Sequence, residues 1–181
     1  MSHVRKEIGE QPLDLMNLKL LYISTSKYEG DWHSTFHAHQ CTELFYVVSG
    51  EGEFRVEELT FPVVPNDMVI INPNVEHTET ALHRSPMEYI VLGVEVGDFL
   101  VRDGSDPRYT AFNCGDGGGE LHFYMKEMLG ELEERAPHFT RAAHNLLEIF
   151  SIKLMRHKAG SVELQPTQKS SRKCSHVKRY I

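Results

Sequence analysis

Apolar residues recur through the first half of the chain in short runs of four or five. Leu20-Leu21-Tyr22-Ile23, Leu44-Phe45-Tyr46-Val47-Val48, Glu53-Phe54-Arg55-Val56, Met68-Val69-Ile70-Ile71 and Tyr89-Ile90-Val91-Leu92 are rich in β-branched and aromatic residues, and Gly, Pro, Asn or Asp bounds them. That spacing predicts an all-β barrel or jelly roll over residues 18–114. Tight hairpin turns are expected at Ser49-Gly50-Glu51-Gly52 and at Pro65-Asn66-Asp67, where Asn66 tolerates a left-handed backbone.

Beyond the barrel the period lengthens to that of a helix. Leu121, Tyr124, Met125, Met128, Leu129 and Leu132 fall three or four apart, and so do Phe139, Ala142, Ala143, Leu146, Leu147, Ile149, Phe150 and Leu154. Pro137 stands near the first turn of the second helix and Gly160 near its stop, and the short break at Ala136-Pro137 implies an antiparallel pair over residues 115–158. The glycines from Gly115 to Gly119 read as a flexible connector. They are no phosphate loop, since no Lys-Ser or Lys-Thr follows. Residues 1–17 read as an arm, 159–175 as a polar linker, and 176–181 as the opening of another helix.

Composition narrows the class. The chain has 181 residues, 40% hydrophobic and 25% charged, enough for one packed domain with a tail. No apolar run is long enough to cross a bilayer, the first ten residues lack the apolar stretch of a signal peptide, and Cys41, Cys114 and Cys174 have no paired spacing, so a cytoplasmic location is expected. The net charge is −7, from 19 Lys and Arg against 26 acids; five of the cations and none of the acids lie in residues 169–181, which leaves −12 for residues 1–168. A body that acidic repels a phosphate backbone, so contacts with DNA would have to come from another part of the protein.

The chemistry concentrates in His37-Ala38-His39-Gln40-Cys41-Thr42-Glu43. On an extended strand, residues an even number apart point the same way, so His37, His39 and Glu43 can line one wall. His77, at the end of Asn72-Pro73-Asn74-Val75-Glu76-His77, can face them from a neighbouring strand. Three His and one Glu are donors that zinc, nickel, manganese or iron accept. The same residues can equally form a hydrogen-bonded polar wall without metal.

The pattern H-x-H-x3-E-x6-G from His37 to Gly50, with P-x3-H from Pro73 to His77, resembles the two motifs of the cupin superfamily. Asn66 and Asn74 stand where cupins usually carry glycine, and Gly30 lies one residue too far from His37. Within cupins, Phe36 to Gly50, Asn66 to Asn74, the helical pair, the polar linker and the final Val177-Lys178-Arg179-Tyr180-Ile181 resemble, in that order, AraC-family transcription regulators. The resemblance implies a double-stranded β-helix followed by a helical pair, acting as the effector-sensing and dimerising part of a regulator. It further implies that DNA is bound through a C-terminal domain beginning near residue 176, and that the protein is not an enzyme. The metal-dependent cupin enzyme, a dioxygenase or isomerase, is the rival.

On that reading a small effector, a sugar for example, binds among Trp32, His37, His39, Glu43, Tyr46 and His77, with Trp32 near the pocket mouth. A homodimer is expected to form through Leu121, Met125, Met128, Leu132, Leu146 and Phe150. Phe36, Phe45 and Phe54 are expected in the core, and His122, His138, His144 and His157 at the surface.

Overall fold

The computed structural model of the chain describes residues 6, 18–28, 35–81, 86–95, 99–101, 106–157 and 162–164. The strands are β1 (Lys19–Tyr28), β2 (Thr42–Ser49), β3 (Gly52–Val56), β4 (Leu59–Val63), β5 (Asp67–Ile71), β6 (His77–Ala81), β7 (Met87–Glu95), β8 (Phe99–Val101), β9 (Tyr109–Asn113) and β10 (Val162–Leu164), with helices α1 (Gly118–Glu134) and α2 (Phe139–His157). All pairings are antiparallel: a five-stranded sheet in the order β1-β7-β2-β5-β9, a three-stranded sheet β4-β3-β6 and a pair β10-β8.

Two cores explain the sequence pattern. Phe45, Val47, Phe54, Val69 and Val91 fill the space between the two larger sheets, while Leu44, Tyr46, Met68, Ile70 and Leu92 face the helices. Strand β2 is buried on both faces, which is why its apolar run is unbroken. In β3 only one face is covered, so Gly52, Phe54 and Val56 are buried and Glu53 and Arg55 exposed. Phe45 and Phe54 meet edge to face at 5.0 Å, as core aromatics do, whereas Phe36 is exposed beneath the Arg55 guanidinium.

The expected hairpin turns are sheet crossings instead. Ser49 to Gly52 carries the chain from the five-stranded sheet to the three-stranded one, and Pro65 to Asp67 carries it back. Gly50 has φ 76° and lies so close to Pro86 that a Cβ would clash with its carbonyl. The true hairpin joins β3 to β4 through Glu57 and Glu58, without glycine. Asn66 and Asn74, at φ 70° and 64°, occupy the left-handed region that asparagine tolerates, so the substitutions for glycine keep these turns.

Strand β10 falls within the expected polar linker and pairs with β8, so part of that segment is ordered by strand pairing. The glycine stretch is no flexible connector: a 3-10 turn, Gly115–Gly117, leads directly into α1, which opens over the Tyr46 hydroxyl. The arm up to residue 17 (Lys6 apart), Trp32 and the expected helix at 176–181 lie outside the described residues.

The helical faces are used differently from expectation. Leu121, Met125, Met128 and Phe150 are fully buried in the core shared with the barrel, and Leu132 and Leu146 pack against it. Each buried side chain of this size contributes roughly 1.5–3 kcal/mol. Leu121, Met125, Met128 and Phe150 are therefore committed to the core of one chain, while Leu132 and Leu146 remain partly exposed at its edge. Phe123, Ile149 and Ile152 are the exposed large apolar residues of the two helices among the described residues.

Candidate metal centre and its surroundings

The site is assembled by a backbone pair before any side chain acts. His37 N–H donates to the His77 carbonyl at 3.0 Å and His77 N–H to the His37 carbonyl at 2.9 Å, a reciprocal bridge that sets their rings 4.4 Å apart. The His39 carbonyl accepts from Asn74 N–H at 2.7 Å, tying the second histidine to the turn that precedes β6. Glu43 enters from β2 at the level of Ile71 on one side and Gly93 on the other. The donor atoms of His37, His39, Glu43 and His77 then lie within 4.8 Å of one another.

Imidazole tautomers follow from the carbonyls they meet. His37 Nδ1 lies 2.8 Å from the Thr35 oxygen and His77 Nδ1 2.9 Å from the Val75 oxygen. A carbonyl only accepts, so each Nδ1 carries the hydrogen and each neutral ring presents a lone pair at Nε2. His77 Nε2 stands 3.0 Å from Glu43 Oε2, and with the neutral ring's hydrogen on Nδ1 both atoms are buried without a hydrogen-bond partner. His39 Nε2 is 3.6 Å from Glu43 Oε1.

A lone pair facing a carboxylate at that distance calls for a positive charge between them. A proton on His77 supplies one: burial opposes the charged form, but Glu43 outweighs it and raises the imidazole pKa. Burial likewise opposes Glu43 ionisation, and His77, His39 and the Tyr22 hydroxyl reverse this, holding the carboxyl below the usual range. His39 is shifted the other way, because burial lowers its pKa more than Glu43 restores it. A metal ion meets the same need. Ligands about 2.1 Å from one ion stand about 3.0 to 4.2 Å from each other, so this donor set fits after a contraction of about half an ångström.

Two further residues belong to the site. Tyr22 of β1 donates its hydroxyl to Glu43 Oε1 at 2.5 Å; burial and then Glu43 push its ionisation far above the ordinary range, so it remains a neutral donor. Glu79, two residues along β6 from His77, is a buried carboxylate accepting the Tyr89 hydroxyl. Tyr46, expected in the site, is not there. It sits three residues from Glu43, an odd number, and so faces the helices, donating to Asn66 Oδ1 at 2.6 Å and stacking on His122 at 5.3 Å. That contact draws His122 from the expected surface set into the junction, where burial lowers its pKa.

Residues 25–93 match the family described as Cupin domain. The barrel has the cupin fold. Comparison by sequence with curated proteins gives no match. Among solved structures, apo ToxT from Vibrio cholerae superposes on 81% of this chain with a TM-score of 0.58 at 12% identity. Unsaturated fatty acid bound ToxT covers 83% with a TM-score of 0.53. YhaK from Escherichia coli covers 53% with a TM-score of 0.43 at 14% identity. The chain spans 59% of the apo ToxT chain and 43% of YhaK. The ToxT likeness therefore extends past the cupin barrel into the helical pair. No helix among the described residues is long and apolar enough to cross a membrane.

Proposed function

We propose that this chain is the effector-sensing part of an AraC-type transcription regulator, in which His37, His39, Glu43 and His77 hold a divalent transition metal. The observation that carries the proposal is the continuity of a donor-lined barrel with a helical pair packed on its outer face; the fold alone is similar to that of ToxT over most of this chain. Barrel chemistry alone has no need of such a pair.

The effector differs in class from the fatty acid of ToxT. Three imidazoles and a carboxylate at the end of an apolar interior favour a small metabolite with oxygen donors, a sugar or hydroxy acid, whose oxygens complete the metal's coordination. When bound, the metal supplies a positive charge that attracts those oxygens. Strand β2 connects the two ends of the device, since Glu43 and Phe45 face the interior while Leu44 and Tyr46 face the helices. A ligand acts only by binding one arrangement of barrel and helices better than another. Dimerisation through the exposed helical residues, and DNA binding through a further domain, complete the reading.

A thermal-shift series with sugars and hydroxy acids, each with and without added metal, tests it. An effector at about a hundred times its Kd stabilises the folded state by about 2.7 kcal/mol, a rise of several degrees for a chain of this size. The reading is overturned if no compound shifts the midpoint. Metal-dependent turnover of one of them supports instead a cupin enzyme, a dioxygenase or isomerase, built on the same four donors.

A further inference from the structure

Tyr22 reaches Glu43 through two local departures from regular strand structure. Leu18 and Leu20 face the helical core, and strict alternation would send Tyr22 to that side as well. The register with β7 slips between Leu20 and Tyr22, a bulge that turns Tyr22 toward the barrel interior and returns Ile23 to the helical side. Gly93 is opposite Tyr22 in one pairing and opposite Glu43 in the other. A Cβ on Gly93 would sit 2.1 Å from the Tyr22 ring, so the phenol crosses bare backbone to its partner.

We infer that Tyr22 is a positioning residue that occupies Glu43 Oε1 and leaves Oε2 as the single metal-binding oxygen, with the β1 bulge and Gly93 as its supports. The inference rests on the metal reading given above. A carboxylate free to turn can chelate through both oxygens; one whose Oε1 is held by a phenol is oriented to present Oε2, which would favour a single bond to a bound ion and leave room for an effector oxygen.

Titration of the metal-free protein with Co²⁺ tests this, comparing wild type with Tyr22→Phe and Gly93→Ala. Tyr22→Phe is expected to bind about 10–100-fold more weakly, because the carboxylate is no longer held in place, with an altered visible absorption band and a metal-free thermal midpoint lowered by a few degrees, since Glu43 Oε1 loses its donor. Gly93→Ala keeps the hydroxyl but displaces the ring, and is expected to alter the same band. Wild-type affinity and spectrum in Tyr22→Phe would overturn the inference while leaving the metal reading intact. A wild-type protein that shows no Co²⁺ spectrum removes the metal reading, and the inference with it. Should Gly93→Ala fail to fold, Tyr22→Phe decides alone.

Discussion

His77 Nε2 and Glu43 Oε2 face each other at 3.0 Å inside the barrel, and while the imidazole is neutral neither atom has a hydrogen-bond partner. The Val75 carbonyl holds the His77 hydrogen at Nδ1, so what stabilises this pair is a charge between the two atoms. A proton and a metal ion compete for that place, and the competition links stability, pH and metal affinity.

Without metal, the pair imposes a pH window. The lowered Glu43 contributes stability above about pH 4.5, lost as pH falls through its folded value, and the raised His77 contributes below about pH 6.5, lost as pH rises through its folded value. Thermal midpoints of metal-free wild type and Glu43→Gln, measured across this range, should differ most between these limits. A constant difference from pH 4 to 9 would contradict the pairing.

Metal affinity should run the other way. Binding displaces the His77 proton, so the apparent Kd falls by up to about tenfold per pH unit below the imidazole's raised pKa and levels off above it. Competition with a chromophoric chelator at several pH values reads this directly, and a pH-independent Kd would count against His77 as a ligand.

Tyr46 belongs to the barrel–helix junction. Tyr46→Phe removes the hydrogen bond to Asn66 and should cost about 1 kcal/mol, or about 2–4 °C in Tm for a chain of this size, with metal affinity unchanged. A large loss of metal binding with no change in Tm would return Tyr46 to the site.

The two helical faces separate by mutation. Phe123 and Ile149 lie one turn from Glu120 and Lys153, which pair across the helices, and Ile152 adjoins that pair. If a second copy covers this face, Phe123→Glu should give a monomer by light scattering with a near wild-type Tm. Leu121→Ala, inside the chain's own core, should instead cost about 2–5 kcal/mol and leave the oligomeric state alone. A monomeric wild type would refute the dimer.

Strands with a strong apolar signature were legible in the sequence, β2 above all, because both of its faces are buried. Others carried no such signature: β4 is a partly exposed edge that tolerates Pro62, β6 reads His-Thr-Glu-Thr-Ala, β9 alternates weakly, and β8 and β10 are only three residues long. The four donors were legible from the spacing of His37, His39 and Glu43 and from a recognisable turn before His77, although only Glu43 lies on β2 and the two histidines precede it. Parity also gave the true side of Tyr46, a signal the aromatic composition obscured. Tyr22 was not legible, since a bulge reverses the alternation that would have located it. An apolar helical stripe reads the same whether its own barrel or a second copy covers it, which is why Leu121, Met125, Met128 and Phe150 were expected at an interface.

The most direct test of the metal-centred account is the metal content of protein purified without a nickel column and then titrated with zinc, manganese, iron and nickel. About one transition-metal ion per chain, or a saturable rise in Tm that Glu43→Gln and His77→Ala abolish, is the predicted result. No bound metal and no stabilisation by any of the four ions would contradict it, and would leave His37, His39, Glu43 and His77 as a protonated polar wall.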